Sequence, residues 1–228
     1  MARLGIITGS HLEAKCLRQA DFSSELDIRC SGASSDRAGE VARTSIAAGC
    51  EGLVSFGLAG GLDPSLEAGS LIVADTVIGP DGTKVQTDKY WREYIGEVFE
   101  ENEVSFKTGA ILGLNEIAYS AETKKDLFQG TKAMCVDMES HAVIREASIK
   151  NIPFLGLRVV ADTANDEVPH AAAYALLPDG AVNYGSLLMA LAKKPSDISG
   201  LMRMRRLSGA GFETLRRIAP LLSFRSAL

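Results

Sequence analysis

Residues 153–162, PFLGLRVVAD, constrain the fold more than any other stretch. Apart from Arg158 and Asp162 the run is apolar or small, with no alternating polar face. A strand without a polar face must be covered on both sides, which places it inside a sheet carrying helices on each face. Comparable runs recur as RLGIITG (3–9), GLVSFG (52–57), SLIVADTVIG (70–79), TGAILGLN (108–115) and AMCVDM (133–138). Between them lie helical patterns at 12–20, 36–49, 120–130 and 139–151. Alternating strands and helices of this kind predict an α/β fold.

Local punctuation sets the boundaries. Gly49 is placed to terminate the helix over 36–49. Ser120 opens the helix over 120–130 like a capping box, and Gly130 closes it. The strand over 52–57 is expected to break into a turn at LAGGLDP. Residues 80–106 are polar, with GPDGTK as a turn and Trp91 and Tyr94 in a helix. TANDEVPHAAAY (163–174) reads as a loop, and residues 179–195 as a helix stopped by Pro195. Beyond it, apolar residues recur at helical spacing with arginines between them. One domain spanning 1–228 is expected, with a core over 1–192 and a basic helical tail over 193–228.

With 46% hydrophobic and 23% charged residues, the chain has enough apolar surface for a real core. The net charge of −5 hides an asymmetry. Residues 193–228 hold eight basic side chains and two acids, so the tail is +6 and the remainder −11. An acidic body argues against nucleic acid as a partner. Cys16, Cys30, Cys50 and Cys135 are scattered, without the spacing of a zinc site or a disulfide framework. His11, His141 and His170 show no metal-ligand spacing, so no metal is expected. The short apolar run at the N-terminus does not resemble a signal-peptide core, and no stretch reaches the roughly 20 apolar residues of a spanning helix. A cytoplasmic protein is expected. The basic amphipathic tail either packs on the core or makes peripheral contact with the inner face of the membrane.

In open α/β sheets, ligands gather beyond the carboxyl ends of strands. Glu13, Glu139 and Asp162 each fall at or just past such an end. Each alone is equally a helix N-terminal acid, favoured by the helix dipole; three together suggest a pocket. Gly57, Gly60 and Gly61 in SFGLAGGL either let backbone approach a ligand or form a tight turn. Arg158, four residues before Asp162, either orients one of the carboxylates or sits in a buried ion pair.

The segments GIITGSHLE, FGLAGGL, VDMES and RVVAD, in that order over residues 3 to 165, resemble the purine nucleoside phosphorylase/nucleosidase superfamily. Within it, LVSFGLAGGLDPSLEAGSLIVAD and ALLPDGAVNYGSLLMALAKKPSDISGLMRMRR look like the bacterial hopanoid-associated phosphorylases. The resemblance implies a three-layer αβα fold with a mixed, partly barrel-like central sheet and a C-terminal helical extension. It implies cleavage of a purine N-glycosidic bond, with adenine released from adenosylhopane. Asp162 would protonate N7 of the departing base, and Glu13 would activate water. Glu139 would grip the ribose hydroxyls as an ionised carboxylate, with Met138 on the sugar face. Ala59 and Gly60 would approach the sugar and base, and Glu116 and Ile117 would line the base pocket. A homo-oligomer and no cofactor are implied, with inorganic phosphate the alternative co-substrate to water.

The chain departs from the phosphorylase pattern in three places. GSHLEAK stands where phosphorylases carry G-D-P-x-R, Ser55 where they carry Arg, and Leu58 where a Ser or Thr is usual. Because phosphate binding relies on paired guanidinium donors, these departures favour water, unless Arg37, Arg43 or a neighbouring subunit supplies the charge. Two alternatives stand beside adenosylhopane. One is a nucleosidase for soluble purine nucleosides such as methylthioadenosine or adenosylhomocysteine. The other is a binding module without activity, which Leu58 would suit.

Overall fold

The computed structural model describes residues 3–20, 26–169 and 197–222, together with Ala181, Asn183 and Met189. Strand β1 (Arg3–Thr8) leads into helix α1 (His11–Arg18), followed by β2 (Leu26–Cys30), α2 (Ser35–Ala47), β3 (Cys50–Gly61), β4 (Leu71–Ile78) and β5 (Lys84–Gln86). Then come α3 (Lys89–Glu101), β6 (Lys107–Gly113), α4 (Ala121–Thr131), β7 (Cys135–Asp137), α5 (Ser140–Lys150), β8 (Phe154–Asp162) and α6 (Asp197–Ile218). A single 3-10 turn, Ala219–Leu221, follows α6. The helix expected over 179–195 lies outside the described residues, apart from three positions within it.

The strands form one mixed sheet that closes on itself. β3 pairs antiparallel with β7, β7 parallel with β6, and β6 parallel with β4. β4 then pairs antiparallel with β8, which returns parallel to β3. This ring of five is a small barrel; β1 and β2 extend the sheet outward from β3, and β5 hangs on β4. The mixed, barrel-like sheet and the C-terminal helix match the expected architecture.

Apolar side chains fill both faces of the strands, as continuous apolar runs require. Val54 and Phe56 of β3 join Leu155 and Leu157 of β8 in a cluster closed by Trp91, Ile95 and Phe99 of α3 and by Leu215 and Ile218 of α6. Leu53 and Phe154 face the other way, against Ala38 and Ala42 of α2 and Val143 of α5. A further cluster joins Ala59, Ile72, Ala74, Ile111, Cys135 and Val160, drawn from all five strands of the ring.

Four boundaries differ from the sequence reading. LAGG is strand, not turn: β3 runs on to Gly61 because its far end exchanges β1 for β7, pairing Gly60 with Val136 and Gly61 with Cys135. β2 and β5 were not anticipated. Both sit at sheet edges, only partly buried, where the hydrophobic pattern is weak. α4 carries Thr123, not Glu, at the third position, so Ser120 caps it without a reciprocal carboxylate. It ends at Lys132 in the left-handed region, beyond Gly130. Meanwhile a full capping box joins Ser10 and Glu13 at the start of α1.

The tail helix divides in two. Its C-terminal turns pack on the core through Leu215, Ile218, Ala219 and Leu222, all fully buried. Its N-terminal half leaves Ile198 and Met202 exposed among Arg203, Arg205 and Arg206. No helix among the described residues is long and apolar enough to cross a membrane.

Candidate active site

Glu13 is fixed by the capping box. Its Oε2 accepts the Ser10 N–H at 2.6 Å, and its Oε1 accepts the Leu58 N–H of β3 at 2.8 Å. A carboxylate holding two backbone donors is favoured as the anion. Burial opposes them and is the larger effect, so the Glu13 carboxyl sits above the ordinary carboxylate range. Gly9 and Gly57 make the room: a Cβ on Gly57 would lie 2.6 Å from Glu13 Oε1, and one on Gly9 2.8 Å from Glu139 Oε1 and 3.3 Å from Glu13 Oε2. Glu13 and Glu139 therefore face one another across Gly9.

Between the acids stands Arg158, 1% exposed. Its guanidinium bonds Asp137 through Nε at 2.5 Å, and Ser55 and Glu139 through Nη2 at 2.7 and 3.2 Å. The two readings of Arg158 are thus both met: it is a buried ion pair that orients Glu139. Asp137 is its anchor, with Ser140 donating to the same carboxylate through N–H and Oγ. Three carboxylates share one guanidinium here, an arrangement that retains excess negative charge unless one acid is protonated. Burial, with Asp137 and Glu13 adding repulsion, pushes Glu139 up to about 8 against the pull of Arg158. Burial thus works against the ionised Glu139 expected from sequence, while the Arg158 N–H that it accepts favours that form.

Asp162 ends β8 opposite Gly60, just past a one-residue shift in the register with β3. A Cβ on Gly60 would lie 3.4 Å from Asp162 Oδ2 and 3.3 Å from Val136. Leu58 and Gly60 thus serve Glu13 and Asp162 from positions two residues apart along β3, roughly 7 Å. Burial raises the Asp162 carboxyl, as expected for a proton donor, and the Lys124 ammonium opposes that rise. Lys124, fully buried on α4, donates Nζ–H to Asp162 Oδ2, to Thr163 O at 2.9 Å and to Asp166 O at 2.8 Å. Asp166 in turn accepts from Thr163 and from Arg203 of α6.

Ala59 lies beside Gly60 on β3, and Met138 is half-buried beside Glu139. Glu116 is exposed and Ile117 half-buried in the loop after β6, and among the described residues neither bonds to any of the three carboxylates. That loop meets the segment after Asp162 through the Val168 N–H to Tyr119 O bond. Leu58 meets Glu13 through its backbone N–H, while its side chain joins the main apolar cluster against Gly211. Lys124 and Asp166 were missed from sequence. TKK within a helix reads as a solvated face, and nothing in its spacing marks the first lysine as buried.

A family model described as the phosphorylase superfamily matches residues 28–193. The chain belongs to the phosphorylase superfamily. Among relatives of this superfamily member, the 5'-methylthioadenosine/S-adenosylhomocysteine nucleosidase of Staphylococcus aureus (strain JH9) is 26% identical over 132 residues. That match covers 50% of this chain and 58% of the relative, less than two thirds of its length. In architecture the chain is similar to the Helicobacter pylori 5'-methylthioadenosine/S-adenosylhomocysteine nucleosidase with butyl-thio-DADMe-Immucillin-A, at TM-score 0.72 and 17% identity over 97% of this chain and 99% of that one. The futalosine hydrolase of Helicobacter pylori strain 26695 superposes at TM-score 0.68 and 19% identity, covering 95% of this chain and 97% of that one. At these identities the superpositions establish the fold.

Proposed function

We propose that this superfamily member hydrolyses the N-glycosidic bond of a purine nucleoside. The observation that carries the reading is the set of three buried acids, Glu13, Glu139 and Asp162, arrayed around β3 with separate partners. Breaking the bond leaves a cationic sugar and an electron-rich base. Asp162 gives a proton to N7 of the base, so that the base leaves neutral. Glu13, with two backbone donors holding its anion, takes a proton from the attacking water. Glu139 and Met138 hold the ribose, and Arg158 keeps Glu139 in place.

The electrostatics support water over phosphate. Arg158, the buried guanidinium beside the acids, is already engaged by Asp137, Glu139 and Ser55. Arg43 is engaged by Glu146 at 2.8 Å. Among the described residues, Arg158 and Arg43 would meet a phosphate dianion only by leaving their carboxylates, so the offsetting charge would have to come from Arg37 or a neighbouring subunit.

For the substrate we propose adenosylhopane, adenine being the base released. The resemblance of the tail supports this, as do Ile198 and Met202, which stand exposed among arginines where an apolar substrate or an anionic bilayer surface would be met. Soluble methylthioadenosine is the second reading, favoured by what the Staphylococcus and Helicobacter relatives are named for. The test is adenine release from adenosylhopane in detergent and from methylthioadenosine, each with and without phosphate. Phosphate-independent release from adenosylhopane, lowered by about 10²- to 10⁴-fold in Asp162→Asn, is the expected result. A sugar 1-phosphate product would overturn the hydrolytic reading. Activity on methylthioadenosine alone would replace the substrate, and no release from either would leave a binding module.

A further inference from the structure

An aspartate beside a buried lysine is an unpromising acid. The ammonium favours the carboxylate anion and so opposes the rise that burial gives the Asp162 carboxyl. Yet Lys124 is the group this fold places against Asp162, at the cost of burying an ammonium completely. Its three N–H bonds are all spent on three acceptors, Asp162 Oδ2, Thr163 O and Asp166 O, which aims one of them along the line to the carboxylate.

We infer that Lys124 is a positioning and proton-supplying residue for Asp162, and that the proton reaching the leaving base starts on Lys124 Nζ. The inference rests on the reading of Asp162 as the leaving-group acid. As the bond between C1′ and N9 breaks, its electron pair passes to the purine. N7 takes the proton from Asp162, whose carboxylate takes one from Lys124. Lys124 is left as a neutral amine, and water attacking C1′ gives its own proton to Glu13. Exchange with solvent after product release returns Glu13 and Lys124 to their starting states. The charged groups facing this relay are Asp162 on β8, the Asp166 carboxylate in the loop beyond it, and Arg203 on α6, which neutralises Asp166 at 2.5 Å. Arg203 and the Thr163 bonds turn the Asp166 carboxylate away, leaving its carbonyl to hold Lys124. The relay thus connects the tail helix to the reacting end of the site.

Two substitutions test it in the full chain, with adenine release from methylthioadenosine and adenosylhopane as the readout. Lys124→Met removes both the hold and the proton; Lys124→Arg keeps a cation beside Asp162 but releases no proton at accessible pH. Both are expected to lower kcat by about a hundredfold or more while KM changes by less than about threefold. The basic limb of the kcat profile is expected to move to lower pH in Lys124→Met, because the proton lost is then that of Asp162 alone. Circular dichroism and thermal melting establish that each variant is folded, and should Lys124→Met fail to fold, Lys124→Arg decides alone. Recovery of kcat to within about tenfold of wild type in Lys124→Arg would overturn the relay and leave a structural cation. Full kcat in Lys124→Met with an unmoved limb would overturn it outright. Asp162→Asn separates the two levels: if it retains release, the acid reading itself fails, whereas an inactive Asp162→Asn beside an active Lys124→Arg defeats the relay only.

Discussion

Glu13 and Glu139 are both glutamates, both buried, and a Gly9 Cβ position apart, yet their surroundings divide the chemistry between them. Backbone N–H groups of Ser10 and Leu58 oppose the rise that burial gives Glu13, whereas Asp137 and Glu13 add to the rise at Glu139. The consequence is a pH dependence of stability. Glu139 has a folded pKa of about 8 against an ordinary 4.5, so between those values the folded chain keeps a proton that the unfolded chain has lost. Its contribution is therefore complete below about pH 4.5 and lost as pH rises through about 8, with a slope of at most about 1.4 kcal/mol per pH unit. Urea titrations of wild type and Glu139→Gln from pH 5 to 8 should show the variant gaining stability relative to wild type as pH rises. A constant difference would mean that Glu139 is ionised throughout. Gly57 makes a second residue-scale prediction. Gly57→Ala drives a methyl into Glu13 Oε1, costing the bond to Leu58, and should lower kcat by about tenfold or more, with overpacking also lowering stability by about 1–3 kcal/mol. Unchanged kcat would show that Glu13 does not need that position.

Elements decide which of these side chains meet. Strand β3 carries Glu13 by its Leu58 N–H and Asp162 by its pairing with β8, so its unbroken course through LAGG is what assembles the site. Helix α6 acts through its two halves differently. Leu215→Ala opens a cavity in the main core and should cost about 2–5 kcal/mol in urea unfolding. Met202→Glu, at a side chain 70% exposed, should cost less than about 0.5 kcal/mol. If Leu215→Ala proved as mild as Met202→Glu, the packing of α6 on the barrel would be wrong. Sequence patterning identified α6 and its apolar residues but left both destinations open, core and bilayer. Helical spacing says which residues share a face, and only the neighbouring elements say what that face meets.

On the scale of the whole molecule, the site is built from the barrel and not appended to it. Adenine bound there should stabilise the entire domain, by about 2.7 kcal/mol at a hundredfold excess over Kd, read as a rise in melting temperature. A melting temperature indifferent to adenine would argue against a purine pocket. Much of this was legible in the residues. Apolar runs without a polar face dictated strands buried on both sides, and the strand ends in GIITGSHLE, VDMES and RVVAD located all three acids. The sequence by itself determined the buried strands and most of the helices, and which acids end up near strand termini, because those follow from local periodicity and capping; the edge strands β2 and β5 and the run of β3 through LAGG did not. Tertiary structure alone decided the rest. It closed β8 between β3 and β4, buried Lys124 from a helix that reads as surface, and set Arg158 among three carboxylates. These depend on contacts between residues far apart in the chain, where the protonation of one acid is fixed by the charge and burial of the others.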